Sequence, residues 1–175
     1  MSNQETKIPV SKLVILFLFN TLNITLNEHQ IVRILTNQDW ANYFDIKTHL
    51  FELTETEMLS KRETPHGVFY AITASGKACI NLFFKDIMLS TREKITAFCK
   101  ANLDELNREA DLFSDYIMVS DTEFRVTLKI LEDTQPTFEL DLLVYSKDEA
   151  ETLIKNWTSG AKNIYRHIYT ELMKG

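Results

Sequence analysis

The chain is poor in residues that interrupt secondary structure and in residues that crosslink it. Its 175 residues include only 4 Gly, 3 Pro and 2 Cys. Such low Gly and Pro contents argue against long flexible linkers, and the hydrophobic share of 45% is enough to build a packed core. The length fits one domain or two small ones.

No apolar run is long enough to cross a membrane. The longest is LVILFLF, Leu13 to Phe19, far short of the roughly 20 residues that a membrane-spanning helix needs. It lacks a preceding basic segment and a following small-residue cleavage site, so we expect a buried helix rather than a signal peptide. We therefore predict a cytoplasmic protein with no membrane partner, in which Cys79 and Cys99 are buried free thiols.

Motifs for catalysis, cofactor binding and metal binding are also missing. The histidines His29, His49, His66 and His167 show no metal-ligand spacing, and there is no paired-cysteine motif. No phosphate loop, dinucleotide fingerprint or nucleophile elbow occurs. We therefore expect no enzyme activity, no cofactor and no metal.

Negative charge is concentrated in the second half of the chain. The formal net charge is -6. Residues 1–82 carry 7 Lys/Arg and 8 Asp/Glu, a net charge of -1, whereas residues 83–175 carry 12 and 17, a net charge of -5. Nucleic-acid-binding proteins usually carry a basic patch, so this composition argues against nucleic-acid binding.

The beginning of the chain has the pattern of three helices. Dense apolar residues from Pro9 to Asn23 predict a largely buried helix. Asn27 and Gln30 form a capping-box pattern that begins a short second helix, which ends near Asn37. We expect Asp39 to cap a third helix, with its apolar residues covering one half of the helix surface.

A hairpin and a further helix complete the N-terminal half. Two short extended segments flank a turn that contains Pro65 and Gly67, which predicts a hairpin. Thr73 is suited to cap the helix that follows. Since Gly lowers helix propensity, we expect Gly76 to be explained by close backbone packing against a neighbour.

The C-terminal half predicts a long helix, strands and two more helices. A second capping box, Ser90 to Glu93, is expected to begin a helix to about Leu112, with an apolar seam along one side. The segments EFRVTLKIL and TFELDLLVY, preceded by the short strand YIMV, predict an antiparallel sheet with one covered face. Gly160 is expected to separate the last two helices.

Residues 1–88 resemble a winged helix-turn-helix. The segment Tyr70 to Gly76 is similar to the wing-closing signature Tyr-x-(Leu/Ile)-Thr-x-x-Gly of bacterial regulators with this fold. The resemblance implies an α+β fold class, with an N-terminal winged helix-turn-helix followed by a long helix and a small antiparallel-sheet/helix module. Residues 89–175 would form this C-terminal α/β module for dimerisation or ligand sensing.

The whole chain also resembles one uncharacterised bacterial domain-of-unknown-function family of winged-helix regulators. The matching motifs are Asn42-Tyr43-Phe44, Asn156-Trp157 and Ile164-Tyr165. One position departs from the common winged-helix pattern, because Glu57 stands where many such proteins have Gly at the end of the third helix. The turn from the third helix into the wing is therefore expected to differ from the turn of winged helices that have Gly there.

The resemblance implies a DNA-binding transcriptional regulator, with a recognition helix at about Trp40–Thr56 and a wing at about Leu59–Ile72. Recognition helices read base edges in the major groove, and wings contact the backbone or the minor groove. The predicted base-reading residues are Asn42, Asp45, Thr48 and His49, and the predicted backbone or minor-groove contacts are Lys47, Lys61, Arg62 and His66. The alternative for each is an ordinary solvated surface.

Partners follow from the same hypothesis. We expect double-stranded DNA, a second copy of the chain packed along the helix from Ser90 to Phe113, and a small-molecule effector. A different class of function stays open, in which the winged helix is a protein-interaction adaptor that does not bind DNA. The acids Asp45, Glu52, Glu55 and Glu57 favour this alternative. Clustering of Lys47, Lys61, Arg62 and Arg33 on one face would favour DNA, and acids around them would favour the adaptor.

Overall fold

The computed structural model describes residues 8–132 and 135–174. The chain divides into two compact units, with the boundary between Asn107 and Arg108. Each unit combines α-helices with a three-stranded antiparallel sheet. The predicted α+β fold class is therefore confirmed.

The first unit contains helices around a small sheet. Its elements are α1 (Val10–Leu22), β1 (Leu26–Asn27), α2 (Glu28–Asn37), α3 (Tyr43–Glu55), β2 (Leu59–Thr64), β3 (Gly67–Ile72), α4 (Ala74–Phe83), a 3-10 helix (Phe84–Asp86) and α5 (Leu89–Ala110), whose last residues belong to the second unit. The strand order is β1-β3-β2. Leu26 pairs with Tyr70, and Leu59 pairs with Ile72, so β3 is the central strand.

The core of the first unit is built around α1. Seven of the 13 residues of this helix are buried, including Phe19, which is inaccessible to solvent. Helix α3 contributes Ile46, Leu50 and Leu53 to the same cluster. The predicted buried helix from Pro9 to Asn23 is therefore confirmed to within one residue at each end.

Two predicted helix caps are present. Asn27 accepts a hydrogen bond from the Gln30 backbone, and the Gln30 side chain accepts one from the Asn27 N–H, so the capping box is complete. Thr73 Oγ1 accepts a hydrogen bond from the Gly76 N–H at 3.0 Å. A Cβ atom at Gly76 would lie 2.1 Å from the Met58 carbonyl oxygen, which confirms the expected close backbone packing.

The predicted cap at Asp39 is wrong. Asp39 has a φ of 55° and follows the end of α2, where the Trp40 N–H donates to the Leu35 carbonyl at 2.9 Å. This is the hydrogen-bond pattern of a helix C-terminus that closes through one left-handed residue. Helix α3 begins later, at Tyr43, with Asn42 as its N-cap. The helix predicted over about Trp40–Thr56 therefore spans Tyr43–Glu55.

The predicted capping box at Ser90 is also wrong. Helix α5 begins at Leu89, so Ser90 lies inside its first turn. The Thr91 and Arg92 N–H groups both donate to the Met88 carbonyl, which places Met88 at the N-cap position. Buried Ile87 and a hydrogen bond from Arg92 Nε to the Ile87 carbonyl fix this earlier start.

The seam of α5 packs inside its own unit. Ile95, Cys99 and Leu106 are at most 3% exposed and belong to the core cluster of the first unit. A buried hydrogen bond from Gln30 Nε2 to the Leu106 carbonyl joins α5 to α2. These side chains are therefore not available for a second copy of the chain, and the observation behind the predicted α5 dimer contact does not hold. The division into modules 1–88 and 89–175 stays a prediction.

The second unit is a sheet covered on one face by a helix. Its elements are β4 (Leu112–Ser120), β5 (Glu123–Glu132), β6 (Gln135–Val144) and α6 (Lys147–Met173), and the strand order is β4-β5-β6. Phe124, Val126 and Leu128 of the central strand are buried with Trp157 of α6. The predicted antiparallel sheet with one covered face is therefore present.

Gly160 does not end a helix, contrary to the prediction. Helix α6 continues through it for 27 residues in total. Gly costs about 1 kcal/mol in a helix interior, which is small beside the packing of its neighbours. Trp157 and Ala161 on either side of Gly160 are at most 2% exposed, and this burial holds the helix together.

Candidate nucleic-acid interface

Helix α3 buries a narrow stripe of apolar residues and exposes the opposite face. Ile46, Leu50 and Leu53 are its buried residues. Its apolar residues lie on one half of the helix, as predicted, but only part of that half is buried, because Phe44 is 80% exposed and Phe51 is 66% exposed. At 100° per residue these two rings lie near the middle of the outer face, beside Thr48.

The first predicted base-reading residues form the N-terminal cap of this helix. Asn42 Oδ1 accepts a hydrogen bond from the Asp45 N–H at 3.0 Å, and Asn42 Nδ2 donates to Asp45 Oδ2 at 2.5 Å. Both side chains are exposed, but their polar atoms already bind each other. Asn42 therefore has a structural role that the sequence analysis assigned to Asp39.

Thr48 is exposed on the outer face, as its predicted role requires. Its hydroxyl donates to the Phe44 carbonyl at 3.0 Å, a bond within the helix that leaves the oxygen free to accept a further donor.

His49 points toward α1 rather than toward the outer face. Its Nε2 lies 2.8 Å from Ser11 Oγ, and its Nδ1 lies 3.4 Å from Glu52 Oε2. Lys12 also binds Glu52 at 2.8 Å, and this ammonium, followed by His49, lowers the pKa of the Glu52 carboxyl. The Ser-His-Glu order has the sequence of contacts of a catalytic triad, but 3.4 Å is long for a bond that would orient an imidazole. The cluster connects α1 to α3, and His49 is not on the predicted base-reading surface.

Lys47 forms an ion pair with Glu28 of α2. The other oxygen of the Glu28 carboxylate accepts a hydrogen bond from the Tyr70 hydroxyl of β3 at 3.2 Å. Burial, and then the nearby Glu28 charge, raise the pKa of Tyr70 to about 12, so the phenol stays protonated and donates. One carboxylate therefore bridges α3 and the central strand of the sheet.

The predicted hairpin is formed by β2 and β3, which cover the segment that the resemblance identified as a wing. Lys61 and Arg62 are exposed on β2, and His66 is half-buried in the two-residue turn between Thr64 and Gly67. Lys61 pairs with Glu63 at 2.5 Å, which raises the pKa of Lys61 and lowers that of Glu63.

Acids surround the basic side chains of this surface. Residues 42–72 contain 3 Lys/Arg and 5 Asp/Glu, a net charge of -2. Lys47 and Lys61, the two predicted phosphate-binding lysines, both have glutamate partners. Acids next to these lysines are what the adaptor hypothesis predicts, whereas DNA binding predicts unpaired basic side chains on one face.

The exposure of the aromatic residues of α3 and the role of Glu28 were not predicted from the sequence. Tyr43, at 51% exposed, packs edge-to-face on Phe44 with ring centroids 5.7 Å apart, so an aromatic pair stands at the start of the outer face. A helical projection that starts from Ile46, Leu50 and Leu53 would have placed Phe44 and Phe51 outside. Nothing local indicates the pairing of Glu28 with Lys47, which is 19 residues away.

The groove, the titratable residues and the helices bear on the expected effector, metal and membrane partners. A shallow groove of ≈ 380 Å³ in the second unit is lined by Val144, Asp148, Glu149, Thr152 and Leu153. Glu149 accepts a hydrogen bond from the Tyr145 N–H, so part of its lining caps α6, and the effector stays a prediction. In the described ranges, no group of three or more His, Cys, Asp or Glu residues is arranged to hold a metal ion. No helix in these ranges has both the length and the apolar composition to cross a bilayer.

The arrangement defines an α+β protein whose first unit combines α-helices with a small antiparallel sheet. A family model described as Domain of unknown function (DUF4364) matches residues 11–172. The chain therefore belongs to this family, which confirms the resemblance at that level. No curated protein and no solved structure matches the chain.

Proposed function

We propose that the first unit is a winged helix-turn-helix that binds double-stranded DNA, and that the protein is a cytoplasmic transcriptional regulator without enzyme activity. The observation that carries this proposal is the order α1-β1-α2-α3-β2-β3 with strand order β1-β3-β2. This topology puts α3 beside a two-stranded hairpin, and within residues 8–132 and 135–174 nothing covers the outer face of α3, where Phe44 is 80% exposed. A recognition helix needs such a free face to enter the major groove.

The chemistry of the uncovered face supports contact with a duplex. Phe44 lies in the first turn of α3, where recognition helices reach base edges, and an exposed Phe can pack against the methyl group of thymine. Thr48 offers a hydroxyl oxygen one turn further on. Arg62 on β2 supplies an exposed guanidinium for a phosphate or the minor groove.

Fluorescence anisotropy with a pool of duplex DNA, titrated across salt concentrations, tests the proposal. We expect saturable binding whose log K falls by roughly 0.9 per contacted phosphate per unit of log salt. Arg62→Ala should lower that slope by about 0.9, whereas Lys100→Ala, an exposed charge change on α5, should leave it nearly unchanged. Absence of binding at low salt would contradict the proposal.

A homodimer would suit a regulator that reads two DNA half-sites. The surface that supports it is the C-terminal half of α6, where apolar residues recur at helical intervals along one side. They are Ile164, Tyr165, Ile168, Tyr169 and Leu172. Leu172 is 80% exposed, and Tyr165 packs edge-to-face on Phe138, so the stripe continues outward from the core of the second unit. Spacings of three and four residues are those of helix-to-helix seams.

Light scattering at micromolar concentration tests the dimer. We expect twice the monomer mass for the unmodified chain and the monomer mass for Leu172→Glu. Thr170→Glu, which adds the same charge to an exposed neighbour outside the stripe, should remain a dimer. A monomeric unmodified chain, with and without DNA, would exclude the dimer but not DNA binding.

The second candidate function is a winged helix that binds another protein. The specific observation in its favour is the pair of exposed rings Phe44 and Phe51 on a helix whose lysine is already paired with Glu28. Exposed apolar patches with polar rims are typical of protein-binding surfaces. Loss of a captured partner protein on Phe51→Ala, together with no DNA binding at low salt, would support this candidate. Retention of the partner by Phe44→Ala and Phe51→Ala variants would contradict it.

A further inference from the structure

The carboxylate of Glu28 lies where the proposed DNA surface has two hydrogen-bond donors. Lys47 Nζ from α3 binds one carboxylate oxygen, and the Tyr70 hydroxyl from β3 binds the other at 3.2 Å. Tyr70 is 4% exposed and belongs to the core cluster of the first unit, so its side chain is held in place by the core. The side chains of Lys47 and Glu28 are 41% and 30% exposed, so this contact is open to solvent.

Two hydrogen-bond donors that converge on one anionic group form a binding site for an oxyanion. A phosphate of the DNA backbone accepts hydrogen bonds from ammonium and hydroxyl groups in the same way as a carboxylate. On the hairpin, Lys61 is already paired with Glu63. Lys61 is also close enough to Glu28 for that acid to contribute to its raised pKa. The anion at the centre of this group is therefore Glu28.

We propose that Lys47 and Tyr70 form a backbone-phosphate contact of the proposed DNA-binding surface, and that Glu28 occupies this contact as an internal competitor when DNA is absent. The inference rests on the proposed function and adds its regulation. Binding requires the Glu28 carboxylate to leave its two donors, because a phosphate and a carboxylate cannot share them without repulsion. The unbound surface therefore opposes non-specific binding to DNA.

The test compares Glu28→Gln with Glu93→Gln, which makes the same change of net charge at an exposed position of α5. With a duplex that the unmodified chain binds, Glu28→Gln should tighten binding by about two- to fivefold at low salt, the range expected for releasing an exposed ion pair. The slope of log K against log salt should also steepen by up to about 0.9, because the displaced Glu28 carboxylate of the unmodified chain retains a counterion beside the phosphate and Gln does not. Glu93→Gln should change neither quantity appreciably.

Two further variants test whether the tighter DNA binding of Glu28→Gln comes from the proposed contact. In a Lys47→Gln background, Glu28→Gln should raise the affinity for DNA no more than Glu93→Gln does. Without the Lys47 ammonium, the Glu28 carboxylate no longer blocks a phosphate-binding group. In a Glu28→Gln background, Tyr70→Phe should weaken binding without changing the salt slope, since the lost donor carries no charge.

The outcomes separate this inference from the function on which it rests. If the unmodified chain binds DNA and Glu28→Gln behaves like Glu93→Gln, the internal competitor is wrong and the DNA-binding proposal stands. Retention of the gain in the Lys47→Gln background would overturn the assignment of the contact. If no variant binds DNA at low salt, both proposals fail.

Discussion

Glu57 occupies a backbone conformation that favours glycine. Its φ is 56°, and it follows the C-terminus of α3. The Met58 N–H donates to the Leu53 carbonyl at 2.9 Å, and the Glu57 N–H donates to the Thr54 carbonyl at 3.0 Å. This is the bonding of a Schellman motif, whose left-handed residue is usually Gly. The turn into the hairpin therefore keeps the ordinary hydrogen bonds despite the departure seen in the sequence.

Replacing Glu57 with Gly should stabilise the first unit. A left-handed conformation costs an L-residue roughly 1–2 kcal/mol that Gly does not incur, and Gly loses part of this advantage through its greater freedom in the unfolded chain. We expect Glu57→Gly to raise the free energy of unfolding by about 1 kcal/mol and the midpoint temperature by about 2–4 °C. Glu57→Ala, which removes the carboxylate but keeps the Cβ atom, should give no such gain in thermal unfolding. An equal gain from Ala would show that the strain is not in the backbone.

Tyr70 should make stability sensitive to alkaline pH. An unfolded phenol titrates near pH 10, whereas burial and Glu28 raise the folded pKa of Tyr70 to about 12. Between these values the native state binds more protons than the unfolded state, so this contribution to stability is complete below about pH 10 and is lost as pH rises toward 12. Urea unfolding from about pH 9 to about pH 11 should therefore show a smaller loss for Tyr70→Phe than for the unmodified chain. Equal losses of stability in the two proteins would contradict a raised pKa of Tyr70 in the folded state.

Two helices of the chain tolerate glycine for different reasons. Gly76 in α4 meets the Met58 carbonyl oxygen, at 2.1 Å from an added Cβ atom, whereas Gly160 in α6 would meet only Ile164 Cδ1 at 3.6 Å. The first distance is a backbone collision, and the second is an ordinary van der Waals contact. The same substitution should therefore have opposite effects in the two helices.

Gly160→Ala should stabilise the second unit by about 0.5–1 kcal/mol, because Ala has the higher helix propensity and restricts the unfolded chain. Gly76→Ala is the matched contrast, and we expect it to destabilise the first unit by about 1–3 kcal/mol, since the strand-to-helix connection must shift. Urea unfolding followed by circular dichroism measures both changes. Destabilisation by Gly160→Ala would indicate that α6 is not a continuous helix at this position.

The helix ends that the sequence predicted correctly are those set by local chemistry. The Asn27 and Thr73 caps act over three residues, which a sequence pattern can represent. Asp39 and Ser90 are equally good local caps, but the burial of neighbouring elements moved the helix starts to Tyr43 and Leu89. Tertiary packing therefore overrode a local preference that is worth only about 1 kcal/mol.

The candidate surface was predictable in outline but not in its electrostatics. Sequence periodicity correctly gave exposed Asn42, Lys47 and Thr48. It could not give the contact of Lys47 with Glu28, or that of His49 with Ser11, 38 residues away, because these pairs form only when different helices pack. The charge that a ligand meets at this surface is therefore a property of the fold.

Each unit has its own hydrophobic core. The cluster of the first unit runs from Leu13 to Leu106, and that of the second unit contains Phe124, Val126 and Trp157. Among the residues that the structure describes, no buried residue belongs to both clusters. The second unit, residues 108–175, is in the size range where a single core gives only a few kcal/mol. We infer that the first unit can fold without the second, and that the second is the less stable of the two.

A fragment of residues 1–107 tests this inference, and the two tryptophans supply the probes. Trp40 lies in the first unit and Trp157 in the second. We expect the fragment to unfold cooperatively in urea, with the same midpoint as Trp40 fluorescence reports in the intact Trp157→Phe variant. The slope of the unfolding free energy against urea should match a chain of its size, because the slope scales with the surface exposed on unfolding. Trp40→Phe, which leaves Trp157 as reporter, should give a lower midpoint in the intact chain. A fragment that unfolds at much lower urea than Trp40 reports in the intact variant would show that the first unit depends on the second.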